Sequence, residues 1–203
     1  MTATSAGTAT WFAIMSSVTF TALYLQLGRG LSPADAGLLI LTGPFVGLVL
    51  FPFAGRYVGR IGVDAATLIG LAILLTAAIG MLTWNATTPL WFVVAVLMIN
   101  GLGISTTLVA SADDAMSQFS PAEAGTGSAL FNSVRQLGAA MGVAIPAVAF
   151  EALAGGSRTP EAALSGSTAA FAVRVVVIAL PLLLVLARWP RRAGAMATVA
   201  TNE

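Results

Sequence analysis

The chain has 203 residues, of which 58% are hydrophobic and only 8% charged, and its mean hydropathy is +0.93. A soluble domain has about a quarter of its residues charged, so this composition excludes an ordinary soluble protein. The net charge of +1 excludes a nucleic-acid interface, and the absence of His and Cys excludes the usual zinc and haem sites, so no metal or cofactor is expected.

Six apolar stretches follow one another along the chain, and each is long enough to cross a bilayer. About 20 helical residues span the ~30 Å hydrocarbon core. The pattern predicts an all-α membrane protein with a single six-helix transmembrane domain over residues 1–203, surrounded by the lipid bilayer. Its spans are expected near 9–27, 34–55, 64–83, 89–111, 127–151 and 168–187, with turns between them, including 56–64 and 154–165.

The arginines predict how the spans are oriented. With the N-terminus in the cytoplasm, the inner segments contain Arg56, Arg60, Arg188, Arg191 and Arg192, and the outer segments contain Arg29 and Arg158. The positive-inside rule therefore favours two cytoplasmic termini. Ala and Gly are abundant and all cations are Arg, which is typical of a bacterial cytoplasmic-membrane protein from a GC-rich genome. Four tryptophans near span ends are expected at the headgroups: Trp11, Trp84, Trp91 and Trp189.

A short motif occurs twice, before the second and before the fifth span. Residues 32–37 read Ser-Pro-Ala-Asp-Ala-Gly, and residues 120–125 read Ser-Pro-Ala-Glu-Ala-Gly. Each copy is a good helix start, with Ser as the N-cap, Pro at the first helical position and an acid in the first turn. Three spans separate the copies, so they lie on opposite sides of the membrane. This placement predicts two inverted repeats of three helices, an arrangement typical of secondary transporters.

A family resemblance rests on several motifs in a fixed order. They are Tyr24-Leu25-Gln26, Ser32-Pro33, Ala36-Gly37, Gly43-Pro44, Pro52, the run Gly55 to Gly62, and the run Gly125 to Gly142 with Asn132, Arg135, Gln136, Gly138 and Gly142. Over roughly residues 10–190 the chain resembles the C-terminal half of major facilitator superfamily transporters, and most of all the fourteen-span drug:proton antiporter branch. The family's loop motif carries an acid and a base where this chain has Gly59 and Val63-Asp64.

The resemblance implies a function and its partners. The chain is expected to be the C-terminal half of a proton-coupled efflux transporter that moves small amphipathic compounds by alternating access. It is expected to be incomplete alone and to need an N-terminal half or a second copy. The alternative is a truncated, non-transporting protein that assembles with or regulates a full-length transporter. An enzyme is not expected, because without His, Cys or a deep acid nothing would activate a nucleophile.

Candidate substrate-cavity residues are Tyr24, Gln26 and Asn100. In the resembling fold the first and fourth helices of each half line the cavity. Tyr24 and Gln26 end the first span, so an interfacial position is an equal alternative. Asn100 falls mid-span, where its amide must find a partner, in helix packing or in the cavity. Arg174 lies toward the end of the sixth span and is expected to snorkel to the headgroups.

Candidate residues for the domain interface or the gate are Asn132, Arg135 and Gln136. Their i, i+3, i+4 spacing places them on one helix face. The resemblance puts that face at the seam between transporter halves, whereas the alternative for Arg135 is snorkelling with an acid partner, Asp113 or Asp114.

Arg56 and Arg60 are further gating candidates, facing Asp113, Asp114 and Glu123 in the loop before the fifth span. Gly138 and Gly142 fit the small-xxx-small pattern of close helix packing.

No acid lies deep in a span, so the sequence predicts that this chain alone does not carry protons. Protons are expected as a partner only because the resemblance implies them.

Overall fold

A computed structural model of the chain describes residues 2–117 and 124–200, with side chains over 7–112 and 125–187. The helices α1 to α6 comprise Thr2–Leu23, Pro33–Ile61, Val63–Leu82, Leu90–Ser117, Ala124–Ala154 and Pro160–Ala200, and a π-helical segment, Tyr24–Gly28, continues α1. Each helix contains a run of 20 to 30 residues apolar enough to cross a bilayer. The predicted class of all-α membrane protein with six spans is therefore confirmed.

The helices pack in two layers. One layer follows the order α2, α4, α1, α5, and α3 and α6 pack together behind it. The contacts of the two triplets mirror each other, because α2 packs on α4 as α5 packs on α1, and α3 packs on α4 as α6 packs on α1. Exchanging the first three helices with the last three thus reproduces these pairings, as a 3+3 inverted repeat requires, although α5 packs on α6 much more extensively than α2 packs on α3. This is the arrangement that the resemblance to half of a major facilitator transporter implies.

Helix α2 begins as its sequence motif predicts. Ser32 is the N-cap, and its hydroxyl oxygen accepts a hydrogen bond from the Asp35 backbone N–H at 3.1 Å. The same hydroxyl donates to the Asp35 carboxylate at 2.6 Å. Pro33 occupies the first turn, where a missing N–H costs nothing. The second copy of the motif begins at Ser120, outside the described residues.

Two boundaries differ from the predicted ones. The turn expected over 56–64 shrinks to Gly62, whose φ of +84° suits glycine alone, and α2 continues to Ile61. The sixth helix begins at Pro160 rather than near 168, because the Thr159 hydroxyl accepts from the Ala162 backbone N–H at 3.3 Å. The sequence Thr-Pro-Glu at 159–161 is the same kind of helix start as that of α2. The predicted start near 168 rested on hydropathy, which does not detect such a cap.

Candidate functional site

A groove opens on one face of the bundle between α1, α2 and α4, with a volume of about 600 Å³. This volume lies within the range of small-molecule sites. Its walls are almost entirely apolar, and the polar side chains among them come from α1 and α4. The lining residues are Ile14, Ser17, Val18, Ile40, Gly43, Pro44, Gly47, Leu48, Phe51, Pro52, Leu97, Asn100, Gly101, Ile104, Ser105 and Leu108.

Glycines bring the groove walls together. A Cβ on Gly101 of α4 would collide with the backbone carbonyl of Gly43 in α2, whose carbonyl carbon would lie 2.8 Å away. The two backbones are therefore in direct contact there. Pro44 and Pro52 of α2 line the same groove, and each lacks the N–H of a regular helix position. The floor of the groove is thus set by backbone contact rather than by interdigitating side chains.

A buried polar cluster lies where α1, α3, α4 and α6 meet, and it consists of Ser17, Met81, Asn100 and Arg174. The Arg174 Nη2 donates to Asn100 Oδ1, and Nη1 contacts Met81 Sδ at 2.6 Å. Asn100 Nδ2 in turn donates to Ser17 Oγ at 3.2 Å. These contacts join four helices, α1, α3, α4 and α6.

Arg174 is 0% exposed, so the prediction that it snorkels to the headgroups is wrong. It lies near the middle of the span Pro160–Ala187, too far from either end for its side chain to reach water. Its partners, an amide oxygen and a thioether sulfur, are both neutral, and its Nε has no partner. A charge held in a membrane bundle in this way is costly and is a hallmark of functional positions.

Asn100 takes part both in helix packing and in lining the groove, the two roles that its position in the sequence allowed. Its side chain joins α4 to α1 and α6, and it also lines the groove. Ser17 was overlooked in the sequence, although a serine pair, Ser16-Ser17, stands in mid-span. Ser16 is also fully buried, but its Oγ has no partner and it does not line the groove.

Tyr24 lies away from the groove, at the end of the bundle where α1 meets the turn between α3 and α4. It is 1% exposed, its hydroxyl donates to the Asn85 carbonyl at 2.8 Å, and its ring packs on Trp84 at 5.0 Å. Arg29 donates to the Thr88 carbonyl at 2.6 Å and closes this end. Trp84 is itself buried at this end of the bundle, just beyond the end of α3.

Gln26, on the same π-helical segment, is half-buried, and it is absent from the lining of the large groove. The structure therefore places one of the three cavity candidates, Asn100, in the groove.

Asn132, Arg135 and Gln136 lie on the helix α5, as their spacing requires, and they differ in exposure. Asn132 and Gln136 are exposed, whereas Arg135 is half-buried and its guanidinium lies 4.1 Å from the centroid of the Trp11 ring on α1. This cation–π contact fastens the two helices near one end of the bundle. The acids expected near Arg135, Asp113 and Asp114, lie outside the residues whose side chains the structure describes.

Arg56 and Arg60 are exposed on the last turns of α2, which are helical rather than a loop. Their expected partners, Asp113, Asp114 and Glu123, fall outside the described side chains.

Gly138 and Gly142 of α5 face α1 directly. A Cβ at either position would lie 2.5 Å from a carbonyl oxygen, that of Thr8 or of Phe12. Close packing of α5 on α1 therefore requires glycine at both positions.

The six long apolar helices define a multi-pass helical membrane protein. The family model of the Major Facilitator Superfamily matches residues 2–143, and the chain belongs to that superfamily.

Several relatives share this similarity. The tetracenomycin C resistance and export protein of Streptomyces glaucescens is 30% identical over 142 residues, which are 66% of this chain and 25% of that protein. The multidrug resistance protein Stp of Mycobacterium tuberculosis is 29% identical over 135 residues, again 66% of this chain and 25% of the relative. The MFS-type transporter YcnB of Bacillus subtilis is 26% identical over 174 residues, 84% of this chain and 37% of the relative. The chain thus spans between a quarter and somewhat over a third of the length of these relatives.

Proposed function

We propose that the chain is the C-terminal six-helix half of an efflux transporter, and that its groove is one wall of the pathway for small amphipathic compounds. The single observation that carries this proposal is the apolar groove of about 600 Å³ with Ser17 and Asn100 in its wall. Apolar walls with a few polar groups suit amphipathic ligands. Two of the relatives are a resistance and export protein and a multidrug resistance protein, and this supports efflux as the direction of transport.

The missing half would cover the layer formed by α2, α4, α1 and α5. Helix α2 is the least buried of the six, with 11% of its apolar window inside the bundle. Large apolar side chains stand exposed along α2 and α5, including Phe45, Leu48, Leu137, Met141 and Val148. An N-terminal half, or a second copy of this chain, would bury this layer and enclose the groove. The two halves would then rock about the enclosed site, as alternating access requires.

Proton coupling, in this proposal, depends on the other half. Over the described side chains, the carboxylates of Asp35, Asp64, Glu151 and Glu161 lie in the first or last turns of their helices. A proton carrier in a membrane protein is normally an acid inside the bundle. The carrier would therefore be a residue of the partner half. The proposed location is the bacterial cytoplasmic membrane, with both termini in the cytoplasm, as the arginine distribution favours.

We expect cells that produce this chain alone to retain a fluorescent amphipathic dye. Co-production of a matching N-terminal half should restore export of the dye, because only then is the groove closed into a pathway. Dye efflux from preloaded cells measures both cases, and crosslinking in native membranes establishes that the halves meet. Export by the chain alone, shown to be monomeric, would contradict the proposal. Assembly without any export would favour a regulatory role instead.

A groove variant separates transport through this site from mere assembly. Val18 lines the groove on α1 and is 43% exposed. Val18→Trp should fill the space and reduce efflux by the co-produced halves roughly tenfold, on the scale of ~1–3 kcal/mol for steric overfilling. Leu180→Trp is the matched control, because Leu180 is exposed on α6 away from the groove. Equal efflux by the two variants would show that substrate does not pass through the groove.

A further inference from the structure

In the buried polar cluster, the chemistry of each side chain determines which atom donates and which accepts each hydrogen bond. A guanidinium can only donate hydrogen bonds, so the atom of Asn100 that faces Arg174 is the carboxamide oxygen. The amide nitrogen of Asn100 must then point the other way, and it donates to Ser17 Oγ at 3.2 Å. Every bond in the series runs from Arg174 toward α1.

The series of hydrogen bonds from Arg174 to Ser17 ends at the groove, where two hydrogen-bond donors have no acceptor in the part of the chain that the structure describes. Ser17 accepts from Asn100, and among the described residues its own hydroxyl hydrogen has no acceptor. The second amide hydrogen of Asn100 is likewise unused. Both residues line the groove. Ser17 and Asn100 are each only 4% exposed, so the two polar hydrogens lie in a narrow part of the wall of an otherwise apolar groove.

The positive charge of Arg174 strengthens these donors. Arg174 is fully buried, its partners Asn100 and Met81 are neutral, and its Nε is unpaired. In a medium of low dielectric constant a charge acts over a longer range than in water, and hydrogen bonds in series polarise one another. The buried charge therefore contributes a positive potential at the groove wall near Ser17 and Asn100, although the residues that line the groove include no cation.

We propose that the groove selects amphipathic compounds that carry an anionic or strongly hydrogen-bond-accepting oxygen, such as a carboxylate, sulfonate or phenolate, and that it disfavours cations. Ser17 and Asn100 would donate to that oxygen, and Arg174 would be the positioning residue that orients the amide and supplies the field. This inference rests on the proposed function, because it names the substrate class of the same groove.

Binding by the chain assembled with a matching N-terminal half, in nanodiscs of neutral phosphatidylcholine, tests the inference. The probes are naphthalene, a naphthalene sulfonate and the matching naphthalene trimethylammonium salt, with empty nanodiscs as the reference for partition into lipid. The sulfonate should bind about tenfold more tightly than the ammonium salt, the effect expected of one charge-assisted hydrogen bond. Val18→Trp should abolish protein-dependent binding of all three probes, which would locate them in the groove.

Two serine variants isolate the donor. Ser17→Ala should lower sulfonate affinity by about tenfold and leave naphthalene unchanged, since it removes one donor and little volume. Ser17→Thr should restore the preference, because it keeps the hydroxyl. Ser16→Ala is the matched control, one residue away and outside the groove lining. Arg174→Met should remove the preference for the anion if the variant folds, but the serine pair decides the question without it.

The outcomes separate this inference from the proposed function. Equal affinities for the two charged probes, or tighter binding of the cation, would overturn the inference while naphthalene binding still supports an amphipath site. An unaltered sulfonate preference in Ser17→Ala would also overturn it. If no probe binds beyond the level of empty nanodiscs, both the inference and the proposed groove function fail.

Discussion

Replacing Asn100 by Leu should lower the free energy of unfolding of the bundle by about 3 kcal/mol, because it leaves the buried guanidinium of Arg174 without its amide acceptor. The loss would be measured by denaturant-induced unfolding in mixed micelles, followed by helical circular dichroism. Asn132→Leu, at an exposed amide of α5, should change it by less than about 0.5 kcal/mol.

The double variant Asn100→Leu with Arg174→Met should recover most of the lost stability. Removing both partners of a buried polar pair costs much less than removing one, since no buried charge is left without an acceptor and only the neutral Ser17 hydroxyl loses its donor. A double-mutant cycle would measure the coupling. If the two asparagine variants cost the same, or if the double variant is no more stable than Asn100→Leu, Arg174 does not depend on Asn100 in the way described here.

Substituting Ala for Gly101 or for Gly142 should each destabilise the bundle by about 2 kcal/mol, as expected for overfilling a close contact. The added Cβ of Gly101 would collide with the backbone of Gly43, and that of Gly142 would lie 2.5 Å from the Phe12 carbonyl oxygen. Backbone atoms cannot move aside as a side-chain end can, so whole helices must separate. Equilibrium unfolding of the purified variants in detergent checks this result.

Gly55→Ala is the control for helix propensity in that experiment. Gly55 lies within α2, and a Cβ there would meet nothing within 4 Å. Alanine should therefore stabilise the helix by about 0.5 kcal/mol, the opposite sign to the two packing glycines. Equal effects at all three positions would mean that propensity, and not contact between helix backbones, determines the response.

The class of fold could be predicted from composition because six long apolar stretches leave few alternatives. The inverted repeat could also be predicted, from a cap motif on the second helix of each triplet. Helix ends were harder to predict. Hydropathy placed the sixth span near 168, whereas the Thr159 cap starts the helix at Pro160. Hydropathy averages over a window, but a helix begins where a side chain satisfies its first N–H groups.

The site could be predicted only in part. Asn100 was recognised because an amide in mid-span must find a partner. Its partner could not be recognised, since Arg174 lies 74 residues further along the chain and meets it through helix packing. The spacing of residues along α6 does not tell whether Arg174 faces lipid or the bundle. Tyr24 shows the same limit, because its contacts at Asn85 and Trp84 come from a turn 61 residues away.

Thiol labelling at the groove tests the central claim most directly, since the chain contains no cysteine and single cysteines can be introduced without background. The cysteine of Val18→Cys should react with a membrane-impermeant thiol reagent when a matching N-terminal half is co-produced, and should stay unreactive in the chain alone, where lipid covers the groove. The cysteine of Leu180→Cys should be unreactive in both cases. A Val18→Cys thiol that stays as unreactive as that of Leu180→Cys in the assembled pair would contradict the claim that this groove is the wall of a transport pathway.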